Sequence, residues 1–247
     1  MNQKRFTLME LLVVTIIITI ATSMLLPVLS RALEKGRATA CFGNMKQMGL
    51  AMADYTDVYD EYMFPPLMPE PVGHWLNYMY VDSFDKNESL AQCPSLSLDD
   101  MFNPYGGSGE YGELTHASYI MNIIHEDGVN GWSSLPADIT TSYWQSYGWM
   151  AGTVTHPVTL RAVSNPAGKV CITDSAPGLN NTLAAFGINR MTESDHGYQD
   201  PNFDGETGAG ERQVGWQHGG KFNVLFGDTH VELRAGTNHE EWNVHQM

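Results

Sequence analysis

The sequence predicts an α+β fold in which a long N-terminal helix packs on an antiparallel β-sheet with large loops. Three observations support this prediction. An apolar stretch without charge covers residues 11–29. Apolar residues then recur at helical spacing up to Ala53. The second half of the chain holds short β-branched or aromatic runs bounded by Gly and Asp, which are typical of strands.

The apolar stretch is long enough to cross a membrane. Its 19 residues are close to the ~20 that span a bilayer as a helix. Lys4 and Arg5 precede it, as expected for a cytoplasmic N-terminus. A cleaved secretory signal is the alternative, but its apolar core usually has only ~7–15 residues. We therefore expect a transmembrane helix over residues 6–30, a kink at Pro27, and an amphipathic continuation over residues 31–56.

Charge is divided unevenly along the chain. The net charge is −15, yet residues 1–50 carry six basic and two acidic residues, and residues 51–247 carry seven basic and 26 acidic ones. An acidic body is a poor binder of polyphosphates, so no nucleic-acid partner is expected. A basic, apolar head on an acidic body favours insertion of the head into a membrane and display of a globular domain, residues 57–247.

The globular domain is predicted to be β-rich. Strand-like runs occupy residues 117–122, 169–174, 213–218, 222–228 and 230–234. The run at 222–228 is apolar on both faces, so we expect it to be covered on both sides. Asp228 and Thr229 predict a tight turn and a C-terminal hairpin. Residues 101–159 show weak periodicity and are predicted to be an irregular insertion.

Glu10 stands at the front of the apolar stretch. An ionised carboxylate within a bilayer costs about 2.5–3.5 kcal/mol, so it normally has a partner or a role. One hypothesis is that Glu10 lies near the membrane surface and its carboxylate reaches water. The alternative depends on what the surrounding segment resembles.

The segment RFTLMELLVV, residues 5–14, resembles the prepilin cleavage and methylation segment of type IV pilins and type II secretion pseudopilins. In that family a prepilin peptidase removes the leader, here residues 1–5, and methylates the new amine, here that of Phe6. The resemblance implies that Glu10 pairs with the Phe6 amine of a neighbouring subunit as a filament grows. The family usually has Gly before the cut, whereas this chain has Arg5.

Two more segments resemble a branch of pilin-like proteins with large globular domains. One is ATACFGNMKQMGLAM, residues 38–52; the other is HGGKFNVLFGDTHVEL, in which His218 and Asp228 keep a His-x9-Asp spacing. The resemblance implies a filament subunit without enzymatic activity, whose partners are prepilin peptidase and other pilin-like subunits. It also implies a single pass through the inner membrane, a cytoplasmic N-terminus, and a body that is periplasmic, or extracellular after assembly.

Two other classes of function stay open. The helix could be a permanent anchor for a surface module that binds glycan or a calcium-dependent protein partner. An exported hydrolase would instead need acids, a His and a nucleophile in one pocket.

The residues His218 and Asp228 have three interpretations of their own, of which the third, a catalytic dyad, is disfavoured because no nucleophile motif stands near them. The first is structural, a hydrogen bond by which the imidazole holds the turn carboxylate. The second is a metal pair made by Asp228 and His230, because residues two apart on a strand share one face.

The segment DPNFDGETGAGE, residues 200–211, fits the calcium-loop pattern D-x-[DN]-x-[DN]-G-x5-E. Alternating oxygen ligands can surround a hard cation, Gly permits the sharp bend, and the final Glu can bind through both oxygens. The candidate ligands are Asp200, Asn202, Asp204, the Glu206 carbonyl and Glu211. A solvated acidic loop is the alternative, and Ca²⁺ is the only cofactor that the sequence suggests.

The chain contains three cysteines. A body facing an oxidising compartment would allow a disulfide. Pairing of Cys41 with Cys93 would tie a loop to the long helix, while Cys171 is expected to be a buried small apolar residue.

Aromatic residues concentrate at 132–149, and they form either core packing or an exposed surface for a sugar or a protein.

Overall fold

The computed structural model describes residues 7–63, 67–68, 71–104, 108–121, 160–163, 165–177, 214–237 and 241. The longest element among the described residues is the helix α1 (Leu8–Val58), which has 51 residues. Pro27 lies inside it. Residues 7–33 are all exposed, contact with the globular body begins at Glu34, and the first buried residue of the helix is Cys41.

The described sheet has four strands, all antiparallel, in the order β3-β4-β5-β6. These strands are β3 (Tyr119–Met121), β4 (Val170–Asp174), β5 (Phe222–Phe226) and β6 (Val231–Arg234). A long helix on an antiparallel sheet confirms the α+β prediction. The strands β5 and β6 form the expected C-terminal hairpin, with Leu225 opposite Val231.

The two central strands are buried along their whole length. Every residue of β4 and of β5 is buried, and α1 packs against β5 and β6. This is why β5 is apolar on both faces, as its sequence suggested. In the edge strand β6 only Val231 is buried, while Glu232 is partly exposed and Leu233 is exposed.

The helix packs against β5 and β6 through a narrow face. Its buried residues are Cys41, Met45, Met48, Gly49, Ala51, Met52 and Thr56. A Cβ atom on Gly49 would lie 3.0 Å from Leu225 Cδ1 and 3.2 Å from the Thr229 carbonyl oxygen. The glycine therefore lets the helix approach the β5–β6 turn.

A layer of short elements, built from residues 67–68 and 71–83, packs beside α1. A small hairpin joins β1 (Leu67–Met68) to β2 (Gly73–His74). It is followed by α2 (Trp75–Tyr78), which continues as a π-helical turn over Met79–Ser83. Trp75 and Met79 are fully buried, so this layer extends the core beside α1.

Two expectations for the body differ from the structure. The run at 213–218 was predicted to be a strand, but in its described part only Val214 forms a bridge, with Ser175. The chain then turns, because Gly219 and Gly220 adopt φ values of 67° and 78° that favour glycine. The stretch of residues 101–159 was predicted to be irregular as a whole, but β3 lies in its strand-like run at 117–122 and belongs to the main sheet.

Candidate functional site

The first candidate site is the start of α1. Thr7 is the N-cap, and Glu10 completes a capping box with it. The Thr7 backbone N–H and hydroxyl each donate to Glu10 Oε2 at 2.8 Å, and the Glu10 N–H donates to Thr7 Oγ1 at 3.2 Å. The carboxylate therefore has partners within its own chain. The T-x-x-E pattern that signals this cap is present in the sequence, although the cap was not among the predicted features.

The first part of α1 is apolar and is not buried against the globular body. The helix that begins at Leu8 contains an 18-residue window with a mean hydropathy of 2.5, none of it buried. By length and composition this helix can cross a membrane. Arg5 and Phe6, the residues of the expected cut, lie outside the described residues.

The second candidate site lies where the helix joins the body. Cys41 and Cys93 form a disulfide with Cα atoms 5.2 Å apart, which confirms the expected pairing. Beside it, Asn44 Nδ2 donates to the Ser89 carbonyl at 2.8 Å and the Gln92 carbonyl at 3.0 Å. These bonds explain the Cys and Asn of the ACFGN motif, since both fasten the 89–93 loop to α1.

His218 lies at the centre of this junction, and its side chain has no exposed surface. Its Nε2 atom is 3.4 Å from Asp174 Oδ2 and 3.5 Å from Cys93 Sγ. Its Nδ1 atom is 3.5 Å from Glu34 Oε1 and 3.4 Å from Ser95 Oγ. One imidazole thus contacts α1, the 93–95 loop and the last residue of β4.

Asp174 is held from the neighbouring strand. The backbone N–H of Asn223 donates to Asp174 Oδ2 at 2.6 Å, and its side-chain amide donates to the same atom at 3.1 Å. Among the described residues, Asp174 Oδ1 is buried and accepts no hydrogen bond. This aspartate ends a strand that we predicted, but nothing in the local sequence marked it as a partner of His218.

Burial and the neighbouring charges have opposite effects on the pKa values of this pair. Burial raises the pKa of the Asp174 carboxyl, and the donors on His218 and Asn223 oppose that rise without cancelling it. Burial also opposes a charge on His218, but the Asp174 and Glu34 carboxylates outweigh it, so the pKa of His218 is raised. The imidazolium is therefore favoured between two acids.

Asp228 does not take part in this cluster. The expected hydrogen bond between His218 and Asp228 is replaced by a local one, because Asp228 Oδ1 contacts His230 Nδ1 directly and accepts the His230 N–H at 3.1 Å. Burial opposes ionisation, yet the His230 donors prevail and lower the pKa of Asp228. The ring of His230 stacks on Phe226 at 4.4 Å. Both residues therefore stabilise the hairpin turn.

Several other expected features lie outside the described residues. These are the candidate calcium ligands Asp200, Asn202, Asp204, Glu206 and Glu211, and the aromatic run at 132–149. Cys171 is described, and it is a free, fully buried thiol beside Met52, as expected.

No protein-family profile matches the chain, and comparisons with curated proteins and with solved structures give no significant match. The resemblance to pilin-like proteins thus rests on three sequence segments, and the long apolar helix on an antiparallel sheet is compatible with it.

Proposed function

We propose that the protein is a pilin-like or pseudopilin-like subunit, anchored in the membrane by the first half of α1 and assembled through it into a filament. The observation that carries this proposal is the exposure of residues 7–33, most of which are apolar. Residues 8–33 rise about 39 Å as a helix, more than the ~30 Å hydrocarbon core of a bilayer. An apolar surface of this size needs lipid or neighbouring helices to cover it.

The junction between helix and body supports the same function. The Cys41–Cys93 disulfide, the Asn44 hydrogen bonds and the close approach at Gly49 fix the body on the second half of α1. Identical subunits can repeat in a filament only if each presents its surfaces in the same relative position. A rigid junction meets that requirement.

The proposal includes cleavage of the chain by a prepilin peptidase before Phe6, as the pilin-like segment implies. Thr7 and Glu10 both lie after the cut, so the capping box survives removal of the leader. In the single subunit the box gives the carboxylate neutral partners. In the filament the methylated amine of Phe6 from a neighbouring subunit would offer it a charged partner, which is the stronger interaction where water is scarce.

The test is the mass of the N-terminus of protein recovered from membranes, with and without a prepilin peptidase. We expect a chain that starts at methylated Phe6 when the peptidase is present and at the unprocessed end when it is absent. An Arg5→Gly variant is the matched control, because it restores the residue that the family usually has before the cut. If neither chain is cut, the processing part of the proposal is wrong.

A surface binding module is the second candidate, and one groove favours it. The groove has a volume of about 410 Å³ and is lined by Tyr55, Tyr59 and Tyr78 together with Asp54 and Asp82. Aromatic rings with nearby carboxylates suit the faces and hydroxyls of a sugar. Titration of the full chain with neutral oligosaccharides, with calcium and with chelator, tests this. Binding that an Asp82→Asn change weakens would favour the module.

A further inference from the structure

We propose that Cys41, Cys93, Asp174 and His218 form a zinc site when the disulfide is reduced. Their ligand atoms all lie within 4.8 Å of one another, and all four residues are buried. Two thiolates, an imidazole and a carboxylate are ligands that Zn²⁺ accepts in a four-coordinate structural site. This inference is independent of the proposed function in filament assembly.

Two of the distances within the cluster match those around a tetrahedral zinc ion. Bonds of 2.0–2.3 Å to such an ion place its ligand atoms about 3.3–3.8 Å apart. His218 Nε2 is 3.5 Å from Cys93 Sγ and 3.4 Å from Asp174 Oδ2, so two edges of the tetrahedron have these lengths. The two sulfur atoms are bonded to each other, and reduction frees them to separate to the same spacing.

The groups around the cluster also suit a metal site. A metal-bound histidine usually has a carboxylate or another acceptor at its second nitrogen. Here Nε2 faces the cluster, and Nδ1 is 3.5 Å from Glu34 Oε1. Asp174 Oδ2 is oriented by Asn223, while the buried Oδ1 has no hydrogen-bond partner in the described part of the chain.

The same four residues join four parts of the fold. Cys41 lies on α1, Cys93 in the loop after the Glu88–Leu90 turn, Asp174 at the end of β4 and His218 in the turn before β5. A zinc ion would therefore hold the same helix–body junction that the disulfide holds. The two cross-links exclude each other, since each uses both sulfur atoms.

Exchange between the two states conserves electrons and protons. A dithiol reductant supplies two electrons and two protons to the Cys41–Cys93 bond and is itself oxidised to a disulfide. The two new thiols then lose their protons as they bind Zn²⁺. The loaded site would contain two thiolates, one carboxylate and a neutral imidazole whose Nδ1–H can donate to Glu34.

The test uses the full chain in detergent micelles, reduced with a phosphine and titrated with Co²⁺ as a spectroscopic substitute for zinc. We expect one equivalent to bind with the thiolate-to-cobalt charge-transfer band and the visible bands of tetrahedral cobalt, and Zn²⁺ to displace it. The oxidised chain should give no such band. Binding through the candidate calcium loop would lack it as well, because that loop offers only oxygen ligands.

Variants separate the site from accidental thiol binding. Cys171→Ala is the matched control and should keep the signal, because that thiol lies beside Met52. Glu34→Gln should weaken Co²⁺ binding about 10–100-fold, the usual effect of changing a group behind a ligand. Zinc should also raise the melting temperature of the reduced wild type. A reduced chain that keeps its far-ultraviolet circular dichroism but gives no charge-transfer band, or that zinc does not stabilise, overturns the proposal.

Discussion

His218 Nε2 lies 3.4 Å from Asp174 Oδ2, and neither side chain has any exposed surface. The acid is the last residue of β4 and the base lies in the turn before β5, so their contact ties these two segments together. Removing the acid would leave the buried imidazole without its inner charged partner. We expect Asp174→Ala to lower the free energy of unfolding by about 3–5 kcal/mol, as when one member of a buried ion pair is removed. Chemical denaturation of the full chain in detergent measures this loss.

Asp228→Ala is the control for that measurement. Its carboxylate also contacts an imidazole, that of His230, but 41% of its side chain is exposed. Exposed pairs contribute about 1 kcal/mol or less. Losses of equal size in the two variants would mean that burial does not set the strength of the His218–Asp174 pair.

Gly49 supports a second prediction. Because a Cβ at this position would lie 3.0 Å from Leu225 Cδ1 and 3.2 Å from the Thr229 carbonyl oxygen, Gly49→Ala should push α1 away from the hairpin. We expect a loss of about 1–3 kcal/mol in the free energy of unfolding. Gly36 lies on the same helix, and a Cβ atom added there would have nothing within 4 Å. Gly36→Ala should therefore stabilise the helix by about 0.5–1 kcal/mol. The same sign for both changes in thermal or chemical denaturation would contradict this assignment.

The sequence predicted the fold better than the site for a physical reason. The helix and strands leave a periodic pattern in neighbouring residues, so α1, β4 and β5 were predictable from short windows. The cluster around His218 depends on Glu34 and Asp174, which are far from it along the chain and have no local pattern. The predicted strand at 213–218 was mostly wrong because Gly219 and Gly220 turn the chain. The capping box at the start of α1 also has a local pattern, T-x-x-E, and is predictable from the sequence.

The disulfide should be a large contributor to stability. Cys41 and Cys93 are 52 residues apart in sequence, and a cross-link over such a span restricts the unfolded chain by about 4 kcal/mol in the chain-entropy model. We expect the Cys41→Ser/Cys93→Ser double variant to lose an amount of this order. The measurement is chemical denaturation with a chelator present, so that metal cannot replace the cross-link. Reduction of the Cys171→Ala variant should have the same effect as reduction of the wild type, because Cys171 is not in the bridge.

Tyr78 should make the body sensitive to alkali. Burial, and then the negative charge of Tyr59 and Asp82, raise the pKa of Tyr78 to about 12. The folded protein thus holds the phenol proton more tightly than the unfolded chain does. The stability linked to this proton is fully present below a pH of about 10, the ordinary pKa of tyrosine, and is lost as the pH rises through about 12. Tyr78→Phe keeps the ring but removes the proton, so its alkaline unfolding midpoint, followed by circular dichroism, should move to higher pH. An unchanged midpoint would contradict the prediction.

Variants at Glu10 and Thr7 can distinguish the helix-capping role of Glu10 from its proposed role in filament assembly. Glu10→Gln removes the charge but keeps a side chain that can complete the capping box with Thr7. Thr7→Ala does the reverse, because it removes the cap hydroxyl and keeps the carboxylate. If Glu10 pairs with the amine of a neighbouring subunit, the Glu10→Gln variant should insert into the membrane and be processed but fail to enter filaments.

The Thr7→Ala variant should enter filaments at nearly the wild-type level, since a lost cap costs only about 0.5–2 kcal/mol of helix stability. The measurement is the fraction of each variant found in sheared filaments relative to the membrane pool, when it is expressed alongside the wild type. Failure of Thr7→Ala together with normal incorporation of Glu10→Gln would show that the cap, and not the charge, is what assembly needs. Normal incorporation of both would leave Glu10 as a residue whose carboxylate only reaches the membrane surface, and the filament contact would have to lie elsewhere on α1.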